Sequence, residues 1–449
     1  MKSNYFLFAL VGVALGACDG GSITSHVPKD GAKYSQKHAE ELSAAGEGDQ
    51  AVEEFVRMGE LFFEQGAFEF ADQMFLKAQK IDSKNSKVLF YRALLGPVIS
   101  MKGFVSLIEP LIQDGAKEGY YKSLDRVRNH YRKEIRDVVL EPKKGRSLFH
   151  SYGDLQQDLL SHLIPALENS VLLLDELSGK SFNVSIDLER FEAVLTPDKK
   201  GIKTYCTYGT YPSCHTSGKM NDDRSVSVND ISVIRHLFVS YLNLLRVETA
   251  YSLKGIRSLD QEDKKNPTEY VKMLKKKYPH FLKLNQNHQL KKVSADLLKS
   301  FKSIEDLYSR YPGLDGCKDP ELSYTGLISS FCFLGNQKVA SDLINVLMGP
   351  TRIKVGTSSL SNKDIYITVD ISNFLNHPIA DLKELLPMEF DSDGYPSSLP
   401  DPSFGGIMND SDGYKILHEK PNSLKFHLFK KKRLLDPYQL YSIVAKAIE

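Results

Sequence analysis

Apolar residues recur along this chain mainly at helical spacing, in rows separated by turn-forming residues. Between Ala51 and Asn85 two short rows face each other. Phe55, Met58 and Phe62 share one helix face, Ala71, Phe75 and Ala78 share another, and Gly66 suits the turn between them. Gly59 and Ala71 are small where two such helices would cross closely. Tyr120 to Leu140 reads as a charged amphipathic helix, and turn-prone Pro142 to Gly145 follows it. Leu155, Leu159, Leu163 and Leu167 then recur every four residues, with Leu174 continuing the row and Pro165 predicting a kink. Apolar residues flank this row, so the helix is expected to pack on more than one side.

The row from Asn229 to Gly255 is more apolar still. Ile231, Ile234, Leu237, Phe238, Tyr241, Leu242, Leu245 and Tyr251 cover much of its circumference. Ser227-x-x-Asp230 has the form of a capping box, and Gly255 suits a C-terminal cap. Arg235, His236, Arg246 and Glu248 make membrane insertion costly, so the row predicts a buried central helix. Phe182 to Leu195 and Asp364 to Phe374 alternate in strand fashion and share an order in which Asp187 and Phe191 match Asp370 and Phe374. They predict two related strands in one small sheet. Further helices are expected over Thr268 to Lys277, Ser294 to Tyr308, Gln337 to Leu347 and Pro437 to Ile448. Met388 to Tyr414, rich in Gly, Pro, Ser and Asp, is expected to be a long ordered surface loop.

The first residues carry a different signal. Lys2 precedes an apolar stretch, Tyr5 to Leu15, of signal-peptide length and short of the roughly 20 residues a membrane span needs. Leu15-Gly16-Ala17-Cys18 follows and resembles the lipobox of bacterial lipoproteins. The resemblance implies cleavage before Cys18, diacylglycerol attached to its sulfur through a thioether, and usually N-acylation. Acyl chains at about 0.8 kcal/mol per buried CH2 would anchor the product stably. Asp19 resembles the enteric signal for retention at the inner membrane, but that rule varies between lineages, so inner and outer membrane both stay open. The expected organisation is a signal peptide over 1–17 and a lipidated tether over 18–50, whose Gly, Ser, Ala and charge suit a flexible spacer.

The paired rows have a family likeness too. Phe55-x2-Met58-Gly59-x2-Phe62, then Ala71-x3-Phe75 and Ala78, resembles one tetratricopeptide repeat over about 51–85, with Ser83 where that family usually has proline. The resemblance covers under a tenth of the chain and makes these seven residues structural. A second repeat would begin near Leu89, with Arg92-Ala93 at the expected place, but Gly96-Pro97 is expected to disturb the helix. A lone repeat rarely folds, so either divergent repeats follow or the hairpin packs on the later helices. The expected fold is mainly α, with tetratricopeptide-like helical hairpins over 51–140 and a mainly helical domain over 141–449 carrying a small β element and the ordered loop.

Composition adds limits. A hydrophobic share of 41% and a charged share of 26% are those of a globular protein, and a net charge of +1 argues against nucleic acid. With 22 Tyr, 23 Phe and no Trp, the cores are expected to rest on Phe, Tyr and Leu. Cys206, Cys214, Cys317 and Cys332 are an even set, which in an exported chain reads as disulfides. The economical pairing is Cys206 with Cys214 and Cys317 with Cys332, and the two other pairings stay open. Zinc is disfavoured because paired C-x2-C spacing is missing, and haem because Tyr211 stands where a first cysteine would be needed. No cofactor is expected.

Asp391, Asp393, Asp410 and Asp412, in two Asp-Ser-Asp-Gly runs, form with Asp401 a weak calcium candidate. Gly394 and Gly413 come too early for an EF-hand loop and the closing glutamate is missing, so turn-forming aspartates are the favoured reading. Lys430-Lys431-Lys432-Arg433 is a dense basic run suited to a solvated helix start or to anionic headgroups. Tyr205, Tyr208 and Tyr211 place contact-prone rings in the Cys206 to Cys214 loop. No H-E-x-x-H, G-x-S-x-G, P-loop or G-x-G-x-x-G occurs, which disfavours an enzyme. The first expectation is therefore a lipid-anchored extracytoplasmic scaffold, periplasm-facing, that binds a protein partner through helical repeats. A small-molecule-binding lipoprotein comes second, and a hydrolase with its site in the acidic loop third.

Overall fold

The computed structural model describes residues 29–112, 140–180, 183–187, 204–207, 213–216, 223–254, 267–286, 288–310, 337–357, 364–386 and 397–419, with isolated positions at 121, 136, 138 and 389. In chain order the helices longer than one turn are α1 (Lys29–Ala44), α2 (Gly48–Glu64), α3 (Phe68–Ile81), α4 (Ser86–Ser100), α5 (Tyr152–Asp158) and α6 (Ile164–Leu177). Strands β1 (Asn183–Asp187), β2 (Thr204–Thr207), β3 (Ser213–Thr216) and β4 (Asp223–Ser227) follow, then α7 (Val228–Glu248), α8 (Pro267–Lys277), α9 (Leu290–Arg310) and α10 (Gln337–Met348). Strands β5 (Thr351–Thr357) and β6 (Asp364–Val369) precede α11 (Ile371–Asn376) and α12 (Asp410–Glu419). The described protein is mainly helical with small two-stranded antiparallel sheets, as the spacing of apolar residues predicts.

Contacts divide the chain into two compact units, Met1–Phe149 with Ser161–Phe238 and Cys317–Leu334, and His150–Leu160 with Val239–Gly316 and Gly335–Glu449. In the first, α1, α2 and α3 zigzag through two matching turns. Gly46 and Gly66 adopt φ of 82° and 75°, the left-handed conformation that an L side chain resists. Around Gly66 the Ala67 N–H donates to the Phe62 carbonyl and the Gly66 N–H to Phe63, and Glu47 and Gly46 repeat this on Leu42 and Ser43. Both helix ends thus carry the Schellman pattern that satisfies their last carbonyls.

The α2–α3 contact closes where sequence places a glycine. A Cβ on Gly59 would lie 2.6 Å from a ring carbon of Phe75. That ring stacks on Tyr91 of α4 at 4.8 Å between centroids, so the third helix joins the same core. The Asn85 side chain accepts the Val88 N–H and caps α4.

Gly96 and Pro97 do not interrupt α4, contrary to expectation. Pro97 falls in the last turn, where its missing N–H costs one hydrogen bond, and its ring is buried. Gly96 instead lets α6 approach, because a Cβ there would meet the Ser170 hydroxyl at 3.2 Å. The hairpin therefore packs on α4, and it is α4 that packs on the later helix α6. Ser86–Leu107 is long and apolar enough to cross a membrane, yet more than half of its most apolar window is buried within the protein.

The kink expected at Pro165 is a π-helical turn over Leu159–Leu163, which lets the helix resume as α6 with Pro165 in its first turn. Asp175 of α6 holds Arg235 of α7 through two bonds, at 2.5 and 3.2 Å. The two related strands lie in different sheets. β1 pairs with β4, and β6 pairs with β5 across a bulge between Lys354 and Gly356. Their likeness is one of local chemistry: Asp370 caps α11 by accepting the Asn373 N–H at 2.8 Å.

In the second unit the helix expected to reach Gly255 ends at Glu248. Polar groups from elsewhere take its last carbonyls. Gln156 donates to the carbonyls of Glu248 and Tyr251, and Asn285 donates to Thr249. The chain then leaves as a β-bridge from Tyr251 to Leu284. Gly255 itself, most of the expected Tyr120 to Leu140 helix, and the Pro437 to Ile448 helix lie outside the described residues.

Candidate interaction surface

The repeat residues are consumed inward. Phe55, Met58, Ala71, Phe75 and Ala78 are buried, Gly59 is pressed on Phe75, and Phe62 is partly buried at the edge. One ring that the repeat pattern does not use faces out. Phe70 of α3 is 58% exposed, and its ring lies 5.7 Å from that of Phe62 on α2. Leu76 and Ile81, at 37% and 38%, extend the exposed apolar area of the same helix.

Polar groups at the margins hold the surface in place. Lys102 pairs with Glu69 at 2.6 Å, Lys77 with Glu40 at 2.5 Å, and Arg92 bonds Asp72 at 3.2 Å and also reaches Gln79. Tyr91, beneath the hairpin, has its phenol pushed well above the usual range, first by burial and then by Glu60 and Glu64. It stays a neutral packing group. This edge can offer two tilted aromatic rings, one exposed and one partly buried, and a charged rim to a partner, an arrangement typical of protein contact sites. Its rings and ion pairs suit it to binding.

The other candidates are placed as follows. Asp410 and Asp412 do not lie in a loop: both sit in the first turn of α12, where Asp and Glu favour the helix N-terminus. Asp412 accepts the Thr368 N–H at 2.8 Å and the Lys415 ammonium at 2.8 Å, which ties α12 to β6. Burial raises its carboxyl pKa, but the Lys415 and Thr368 hydrogen bonds outweigh that and hold it below the usual value. Asp401 is similarly occupied, accepting from Ser403 and from the Gly405 N–H. The carboxylates are therefore turn and helix supports. Asp391 and Asp393 lie outside the described residues, and among the described residues no group of three His, Cys, Asp or Glu could hold a metal.

In the β2–β3 hairpin Cys206 stands directly opposite Cys214. Facing positions in an antiparallel pair have Cα separations of about 4.5 or 5.5 Å, within disulfide range. Cys18, Cys317, Cys332 and Lys430 to Arg433 lie outside the described residues. An open groove of about 500 Å³ runs along α8 between Glu269, Lys272, Met273, Lys276 and Lys277. Sequence reading missed Phe70, because the ring falls off the inward spacing, and it missed the lysines within α8. A count of charge by segment would have found the latter. Comparison with known protein families, curated proteins and solved structures gives no match.

Proposed function

We propose that this chain is a lipid-anchored, extracytoplasmic binding protein that docks a protein partner on the outer edge of its first helical hairpin. The observation that carries the docking reading is the exposed Phe70 ring, set beside the partly buried Phe62 on a hairpin whose own apolar residues are already satisfied. Packed hairpins of this kind make stiff platforms, and a stiff aromatic pair loses little entropy when covered. The tetratricopeptide likeness of residues 51–85 supports the same reading, since that family binds peptides and helices. The Leu15-Gly16-Ala17-Cys18 motif supports the anchor and the address, on the periplasmic face of an inner or outer membrane.

The test is recovery of a stoichiometric partner from detergent-solubilised membranes with the native chain as bait, beside Phe70→Asp. The variant removes only an exposed ring, so the fold stays intact. Loss of a hot-spot contact of about 2 kcal/mol should weaken the complex roughly 30-fold. A partner retained equally by both baits moves the site elsewhere, and repeated recovery of none counts against the binding reading.

A further inference from the structure

We propose that the lysine stripe of α9 holds the second unit against a bilayer surface rich in anionic phospholipid. The proposal rests on the lipid-anchored reading for bringing that surface within reach. From Pro267 to Lys302 the chain carries nine lysines, against Glu269 and Asp296 as its only acids, although the whole chain sums to +1. The excess is therefore local. Both acids are engaged: Glu269 bonds Lys272 at 3.0 Å, and Asp296 pairs with Arg246 of α7 at 2.5 Å.

Helical geometry turns the excess into a stripe. Lys291, Lys292, Lys299 and Lys302 are all exposed and, at 3.6 residues per turn, fall within an arc of about 100°. Leu290, Val293, Ile304, Leu307 and Tyr308 are buried on the other side. Asp306, one turn beyond Lys302, ends the stripe.

The chemistry of the stripe selects the occupant. Ala295 and the partly exposed Leu298 are the apolar residues along this row, so lysines and not rings dominate the face. Protein interfaces are depleted in lysine. A plane of phosphodiester headgroups suits ammonium charges on long flexible stems, since each interacts as a point charge with a diffuse negative layer. Lys276, exposed along the groove of α8, adds to the same local excess.

The experiment mixes the full chain with phosphatidylcholine vesicles, alone or with phosphatidylglycerol, and follows flotation and the acetylation rate of each lysine. Phosphatidylglycerol should tighten binding about fivefold per engaged lysine at low salt. Acetylation of Lys291, Lys299 and Lys302 should slow while that of exposed Lys80 and Lys84 does not. The triple variant Lys291→Gln, Lys299→Gln, Lys302→Gln should keep its circular dichroism and lose only the phosphatidylglycerol increment. Equal binding to both lipids, or a triple variant that binds like the native chain, overturns the proposal. So does protection by soluble heparin without protection by phosphatidylglycerol vesicles, which would assign the stripe to a soluble polyanion. Flotation on phosphatidylcholine alone reads the anchor, so a chain that floats only with phosphatidylglycerol sinks the anchor and keeps the stripe.

Discussion

Gly59 and Asp412 show how single residues set this structure from opposite ends of the polarity scale. At Gly59 the limit is space, because a methyl group would meet the Phe75 ring at 2.6 Å and that ring is itself stacked on Tyr91. Gly59→Ala should destabilise the fold by about 1–3 kcal/mol in urea titrations. Phe75→Leu in the same background should recover part of the loss. Asp412 acts through charge. Its folded pKa lies below the ordinary value, so its contribution is complete above about pH 4 and is lost as pH falls through the lowered value. Asp412→Asn should therefore cost about 1 kcal/mol at neutral pH, with the gap from native closing in acid unfolding curves. Gly59 was legible in sequence because its partner lies sixteen residues on, in a spacing that a helical hairpin enforces. The role of Asp412 was not, because Thr368 reaches it from 44 residues away and spacing cannot report such a pair.

Elements were legible where their pattern was local. Helices α2, α3, α9 and α10 arise where apolar residues recur every three or four positions, and the strand alternation at Asn183 and Asp364 was real. Ends and partners were set from a distance. α7 stops at Glu248, where Gln156 takes its last carbonyl and Asn285 that of Thr249 just beyond, and α4 keeps Pro97 in its last turn with α6 lying against Gly96. The β2–β3 hairpin makes a sharper statement, since its register brings Cys206 and Cys214 face to face. Bridged, they should give an oxidised chain that resists alkylation at both sites and whose peptide spanning them gains two hydrogens on reduction. Tryptic mass mapping checks this. A mapped peptide joining Cys206 to Cys317 or Cys332 would mean one of the other pairings.

At the scale of the molecule, the proposed anchor would decide where the two candidate surfaces can work. Intact mass of the membrane-extracted protein should show residues 1–17 gone and acyl chains on Cys18, and Cys18→Ser should abolish the acyl mass. A bare sulfur on an uncleaved chain would remove the envelope address while leaving the folded units as described. Much of the architecture was legible at this scale as a mainly helical chain, since composition and periodicity average over many residues. The division into units was not, because the chain passes between them near residues 149, 160 and 238 and no linker composition marks those points.

The contact of α4 with α6 carries a consequence for the order in which the molecule can be built. Helix α4 ends at Ser100, but the second surface it lies on begins at Ile164, so a nascent chain halted between the two has an apolar helix covered by α3 on one side only. Closing that span costs entropy before any contact repays it. Until the later helix emerges, one face of α4 stays uncovered, and the length of chain already made sets when it is buried.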